Sequence, residues 1–209
     1  MKYKKNFLRK FLLIPTFKID SVSRISLDFE LHKQFKRLKP GVVLEVGVGY
    51  SSYKKYIPYT RYFTLDFDKG SNPDICCDVH HIKWTSEYFD TVIAIEVLEH
   101  VHTPEKVIDE IWRILKPGGV CILSTRFIYP YHPGPKDYYR FTWDSLELLF
   151  KEFKHVEIYH HGNRIQSLWQ IINYGRCIGA VLNLLNPFIA RLSSKKTNFP
   201  LGFVLYARK

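Results

Sequence analysis

The chain has 209 residues, enough for one compact domain with a full hydrophobic core and too few for two ordinary ones. With 46% hydrophobic and 24% charged residues it is not a disordered polymer, and eleven glycines and eleven prolines exclude collagen-like and low-complexity designs. The net charge of +11 is segregated: residues 1–40 carry +8 and residues 164–209 carry +7, while residues 41–163 carry −4.

Residues 1–18 mix Lys2, Lys4, Lys5, Arg9 and Lys10 with Phe7, Leu8, Phe11, Leu12, Leu13, Ile14 and Phe17. The apolar run 11–14 is too short for a signal-peptide core and no small-residue cleavage site follows, so secretion is not expected. Basic, aromatic-rich ends attract polyanions, either an anionic lipid surface or a nucleic acid; a solvated tail whose aromatics pack on the domain is the plain alternative. Residues 1–39 are expected to form a basic segment and a leading helix, and residues 40–209 one domain.

From residue 41 the chain alternates short apolar runs with helical patterns. Residues 41–46 form a run closed by Gly47 and Gly49, the pattern of a strand buried on both faces, with a helix expected beyond the turn. Further strands are predicted at 61–65, near Ile75, and at 91–95, 120–125, 155–159 and 201–207. Thr103, Pro104 and Glu105 open a helix ending at Leu115, followed by Pro117, Gly118 and Gly119; Thr142, Trp143 and Asp144 open another running to about Glu152. The expectation is an α/β fold with a mainly parallel sheet, helices on both faces, and ligands beyond the carboxyl ends of the strands. Residues 177–190 are uncharged, yet 14 residues fall short of the roughly 20 that span a bilayer, so an apolar helical insertion at about 163–198 is expected to be buried or interfacial.

The turn Leu44, Glu45, Val46, Gly47, Val48, Gly49 permits close approach of bare backbone to a ligand. Asp66 lies 21 residues after Glu45 at the end of the next strand, where a carboxylate accepts two ribose hydroxyl protons. Asp78 with Val79 follows a short third strand, and Glu96 closes the fourth.

In these pieces, together with Val97 through Val101 (Val-Leu-Glu-His-Val) and Arg113 through Gly119 (Arg-Ile-Leu-Lys-Pro-Gly-Gly), the sequence resembles the class I S-adenosylmethionine-dependent methyltransferases, most of all their small type 11 group. The resemblance runs from about Pro40 to His160. It implies a Rossmann-like, seven-stranded, mostly parallel sheet with an antiparallel last strand, and S-adenosylmethionine as cofactor. By position, Gly47 and Gly49 face its methionine part, Glu45 fixes the loop, Asp66 holds the ribose, Asp78 and Val79 meet the adenine, and Glu96 completes the cofactor side. Ser51 stands where nicotinamide-binding versions keep a third glycine for pyrophosphate packing, which favours methyl transfer over hydride transfer.

For the acceptor side the residues are less specific. His100 follows the fourth strand and is a candidate proton acceptor; a polar loop in which Glu99 or His100 fixes the next helix is the alternative. The loop from Tyr129 to Arg140 is stiffened by three prolines and carries His132, Lys136, Asp137, Tyr138, Tyr139 and Arg140. Comparable segments border the acceptor site in type 11 relatives, which implies His132 as a second proton acceptor and Lys136, Tyr138, Tyr139 and Arg140 as substrate contacts. Alternatively, Asp137 and Arg140 pair to brace the loop and the tyrosines pack inward.

Adjacent pairs such as His80 with His81 and His160 with His161 lack metal-ligand spacing, and no metal is expected. Cys76, Cys77, Cys121 and Cys177 show no paired spacing, which fits a reduced, cytoplasmic setting. The expected acceptor is a small molecule, a saccharide or a lipid-linked glycan, methylated on oxygen, with the protein peripheral at the inner membrane face. An RNA methyltransferase and a noncatalytic binding module are the alternatives; the sequence Ala94, Ile95, Glu96, Val97 lacks the Asn/Asp-Pro-Pro-Tyr signature of enzymes that methylate exocyclic base nitrogens, which makes nucleic acid the lesser partner.

Overall fold

The computed structural model describes residues 20–49, 52–173, 182–192 and 197–209. The basic segment 1–18, Ser51 and Cys177 lie outside the described residues.

The seven strands are β1 (Val42–Val46), β2 (Arg61–Asp66), β3 (Ile75–Cys76), β4 (Phe89–Ile95), β5 (Leu115–Arg126), β6 (His155–His161) and β7 (Gly202–Arg208). They form one sheet in the order β3-β2-β1-β4-β5-β7-β6. Every pairing is parallel except those of β7, which runs antiparallel to both β5 and β6. The antiparallel last strand is as the resemblance implies. The chain leaves β1 toward β2 and β3 and then returns to β4 on the other side, so the sheet reverses direction between β1 and β4 and leaves a crevice at their carboxyl ends.

Helices cover both faces. On one face α1 (Val22–Phe35) is opened by Ser21, whose hydroxyl accepts the Arg24 amide at 3.2 Å. It buries Leu27, Leu31 and Phe35 against Val43, Ile93, Ile122, Val204 and Tyr206. On the other face α2 (Pro104–Ile114) places Val107, Ile108, Ile111 and Ile114 on one stripe at helical spacing, and α3 (Trp143–Leu149) adds Leu146 to the same core. Helices α4 (Arg164–Asn173) and α5 (Asn186–Ala190) pack on the α1 side, with Val22 beside Ala190 and Leu201.

Several expectations change. The turn after β1 leads not to an α-helix but to one 3-10 turn, Lys54–Tyr56, because only 14 residues separate Val46 from Arg61 and that turn is tied to β1 by side-chain bonds described below. Thr103 precedes α2 without a side-chain cap, and Pro104 at its first position sets the helical φ instead. The backbone passes from Ile114 directly into β5, so Pro117, Gly118 and Gly119 lie within the span of β5, with Gly118 at φ +79°, rather than before it. Helix α3 stops at Leu149, where Phe150 turns into the core.

Candidate active site

Strands β1, β2, β4 and β5 deliver their ends to the crevice. Glu45 is buried on β1, and its carboxylate accepts from the Ser52 hydroxyl, from the Tyr53 amide at 3.0 Å and from the Tyr62 hydroxyl at 2.8 Å. One acid thus fastens the loop beyond the glycine turn to the sheet. Gly47 has φ +69° and its amide donates to Leu65 O at 2.7 Å; a Cβ there would stand 2.5 Å from Val97 Cγ2. Gly49 has φ +51°, and a Cβ there would meet nothing within 4 Å, so its surroundings are open.

The Gly49 amide donates to Asp66 Oδ2 at 2.9 Å, and the Asp68 amide donates to Asp66 Oδ1 at 2.9 Å. Each oxygen of this buried carboxylate therefore has one backbone partner and retains a second lone pair for a hydroxyl donor. The Cys77 amide donates to Asp66 O at 3.2 Å, bringing Asp78 alongside the same strand end. The Asp78 carboxylate accepts the His80 amide at 2.8 Å and stands 2.6 Å from His80 Nδ1, while Val79 is in the core. Desolvation acts to raise the Asp78 pKa, yet the His80 bonds outweigh it and the carboxyl lies below its ordinary value.

Glu96 sits just past β4 at φ +58°, a left-handed conformation that a non-glycine residue holds at a cost of about 1–3 kcal/mol and that clusters at functional sites. Its carboxylate forms an ion pair with Arg126 and accepts Ser124 Oγ at 3.1 Å. Sequence reasoning missed Arg126. It is buried at the end of β5, bonded to Ser23 of α1, and its guanidinium carbon lies 4.1 Å from the centre of the Tyr129 ring. The available signal was its place at the carboxyl end of a strand whose Ser124 pairs with Ile95, one residue before Glu96.

Glu99 is wholly buried, with Oε2 accepting Thr125 Oγ1 at 3.0 Å; burial first, and then the Glu96 charge, raises its pKa. Neither Glu99 nor His100 caps α2. The Glu99 carbonyl accepts the Tyr138 amide at 2.8 Å, and His100 Nδ1 is 2.8 Å from Lys136 O, so both hold the 129–140 loop against the end of β4. The His100 and His132 rings meet edge to face at 4.9 Å. His132 has its pKa lowered, chiefly by burial, although Asp137 Oδ2 lies 3.1 Å from its Nδ1.

Arg140 grips Asp137 through two bonds, at 2.5 and 2.7 Å, and also donates to the carbonyls of Tyr129, Pro130 and Tyr139. The Arg140 bonds bring the Asp137 carboxyl down to about 2. Asp137 and Arg140 therefore brace the loop, as one of the two sequence expectations had it. Lys136, Tyr138 and Tyr139 are exposed, so these tyrosines do not pack inward.

A sheet of this order, with a glycine turn beside a strand-end acid at its reversal point, is a Rossmann-like α/β arrangement. Residues 44–123 match the family model described as a methyltransferase domain. It is 51% identical over 37 residues to a ubiquinone biosynthesis O-methyltransferase of Psychrobacter cryohalolentis, covering 18% of this chain and 14% of that one. A protein of the same name from Hydrogenovibrio crunogenus is 26% identical over 116 residues, 47% of this chain and 48% of that one. The chain thus spans less than half the length of either relative. In fold it is similar to a SAM-dependent methyltransferase from Archaeoglobus fulgidus, with a TM-score of 0.62 at 12% identity over 92% of this chain and 96% of that one.

Proposed function

We propose that this protein is an S-adenosylmethionine-dependent methyltransferase that methylates a hydroxyl of a small molecule. The observation that carries the reading is the turn at Gly47 and Gly49 bonded to Asp66: open backbone beside a buried carboxylate with lone pairs to offer suits a nucleoside diol. Asp66 takes the ribose hydroxyls, Asp78 and Val79 border the adenine, and Gly47 and Gly49 face the methionine part. Glu45 keeps the turn rigid from behind, and Glu96 with Arg126 closes the cofactor side toward β5.

When bound, the cofactor supplies a methyl group on a sulfonium; the methyl passes to the acceptor oxygen as the C–S electron pair returns to sulfur. The chain's part is to align the acceptor oxygen in line with that carbon and to receive its proton. His100 and His132 stand together on the acceptor side for that second task, while Tyr138, Tyr139 and Lys136 border the entrance on a loop that Arg140 holds in place. The oxygen acceptor draws support from the names of the two curated relatives.

The acceptor is lipophilic or lipid-linked, a glycan precursor included, and the protein works at an anionic membrane face in the cytoplasm. Support comes from α4 and the segment after it: Ile165, Leu168, Ile171, Leu184 and Phe188 are each more than half exposed, within a region, 164–209, that carries no acidic residue. Among the described residues no helix is long and apolar enough to cross a membrane. Cys76, Cys77 and Cys121 are free thiols, in keeping with a reducing compartment.

Calorimetry with S-adenosylmethionine tests the central assignment. The wild-type protein is expected to bind, and Asp66→Ala to lose at least tenfold in affinity. No heat of binding in the wild type, or equal affinity in the variant, overturns it.

A further inference from the structure

Asp78 opens the single 3-10 turn Val79–His81 that follows β3, and its two carboxylate oxygens are used unequally. Oδ1 accepts the His80 amide at 2.8 Å and stands 2.6 Å from His80 Nδ1. Both lone pairs of Oδ1 are thereby engaged. Oδ2 keeps both of its own and has no hydrogen-bond partner among the described residues, on a side chain that is 63% exposed. An ionised carboxylate only accepts, so the proton in the ring contact lies on His80 Nδ1.

His80 is itself held in place. It is buried, and its ring stacks on that of His102 with centroids 4.2 Å apart and planes 14° from parallel. His102 lies between β4 and α2, and its carbonyl accepts the Tyr139 hydroxyl at 3.1 Å. The next two residues of the turn are fastened to α2: His81 Nε2 meets Lys106 Nζ at 2.7 Å, and the Ile82 amide donates to Glu110 Oε2 at 2.7 Å. The imidazole is therefore fixed by its surroundings, and its ring N–H is spent on an acid that is otherwise open to the crevice. Desolvation acts to raise the Asp78 pKa, and the His80 bonds override it, which keeps the carboxylate ionised and acceptor-only.

The geometry points to His80 as a positioning residue for base recognition: it fixes the Asp78 carboxylate so that Oδ2 accepts the exocyclic amino group of adenine, a role that rests on the S-adenosylmethionine reading, in which Asp78 borders the adenine. An amino group donates where Oδ2 only accepts. A hypoxanthine base carries a carbonyl oxygen at the same place, so two acceptors face each other and the base is rejected. Without the Nδ1–H the carboxylate keeps only the backbone bond from the His80 amide and is free to turn, and the discrimination weakens.

Calorimetry with S-adenosylhomocysteine and S-inosylhomocysteine tests the role, the readout being the ratio of the two affinities. The wild type is expected to prefer the adenosine compound at least tenfold. His80→Phe keeps a ring against His102 but has no donor, and its ratio should fall at least fivefold; His80→Leu is a second donor-free variant should the phenyl ring not be accommodated. His80→Gln, whose amide donates, should retain most of the wild-type ratio. Asp78→Asn, whose amide presents either a donor or an acceptor, should bind the two compounds within threefold of each other.

A merely structural His80 weakens both compounds alike. An unchanged ratio in the donor-free variants, or a wild-type preference kept in Asp78→Asn, overturns the role and leaves the S-adenosylmethionine assignment standing. Equal binding of the two compounds by the wild type does the same. A wild type that binds neither compound overturns the assignment and the role together.

Discussion

Gly47 and Gly49 look equivalent in the sequence and differ in their surroundings. Both have positive φ, so an alanine at either is strained by about 1 kcal/mol. At Gly47 the new methyl also runs into Val97 Cγ2 at 2.5 Å, whereas at Gly49 it enters open space. Gly47→Ala is therefore expected to lower stability by about 2–3 kcal/mol and Gly49→Ala by about 1 kcal/mol in chemical denaturation. Equal losses in the two variants contradict this account. Gly47, Gly49, Asp66 and Asp78 were legible in the sequence because spacing along two strands fixes which residues reach the crevice. Arg126 was not, since nothing local says that Glu96 and Ser23, 30 and 103 residues away in the chain, will converge on it.

Helix α1 is fastened to the far edge of the sheet by Arg37, just past its end, which pairs with Glu157 on β6 and stacks 3.7 Å over the Tyr206 ring. The bonds from Arg37, then Tyr159, hold the Glu157 carboxyl at about 2, below its unfolded value. A depressed carboxyl pKa stabilises the folded state above the unfolded pKa, and that contribution disappears as the pH falls from about 4.5 toward 2. Glu157→Gln is thus expected to be about 0.5–1 kcal/mol less stable than wild type at pH 7, the pair being partly solvated, with the difference shrinking to nothing near pH 2. Thermal melts across that range check it, and a difference that persists at the acid end refutes it. At the same scale the helix expected after β1 failed because Glu45 ties Ser52 and Tyr53 back to the strand. Amphipathic pattern does not reveal a long-range acid bond of that kind.

For the molecule as a whole, charge is segregated along the chain. The central region 41–163 is acidic by four charges and the two ends are basic. The exposed apolar side chains of α4 and its neighbours lie within the basic carboxyl-terminal part. A surface with this combination binds anionic vesicles through apolar burial and through charge, and the second contribution is screened by salt over about 10 Å at 0.1 M. Sedimentation with phosphatidylglycerol vesicles should retain the protein at low salt and lose much of it at 0.5 M. Ile165→Asp with Leu168→Asp should reduce retention at least fivefold without altering S-adenosylmethionine affinity. Undiminished retention in that double variant removes the lipid-facing role from the patch.

The sequence by itself determined the alternation of strands and helices, the glycine turn with its following acids, and the strand that closes the sheet. These are local or follow from order along the chain: burial on two faces demands unbroken apolar runs, and positive φ selects glycine. Only the tertiary structure decided that buried Glu99 meets Thr125, that Arg126 belongs to Glu96, and that Ser23 of α1 reaches Arg126. Each of those depends on groups that stand between 26 and 103 residues apart in the chain, and the energy of a buried charge is set by the company it keeps, which periodicity cannot express.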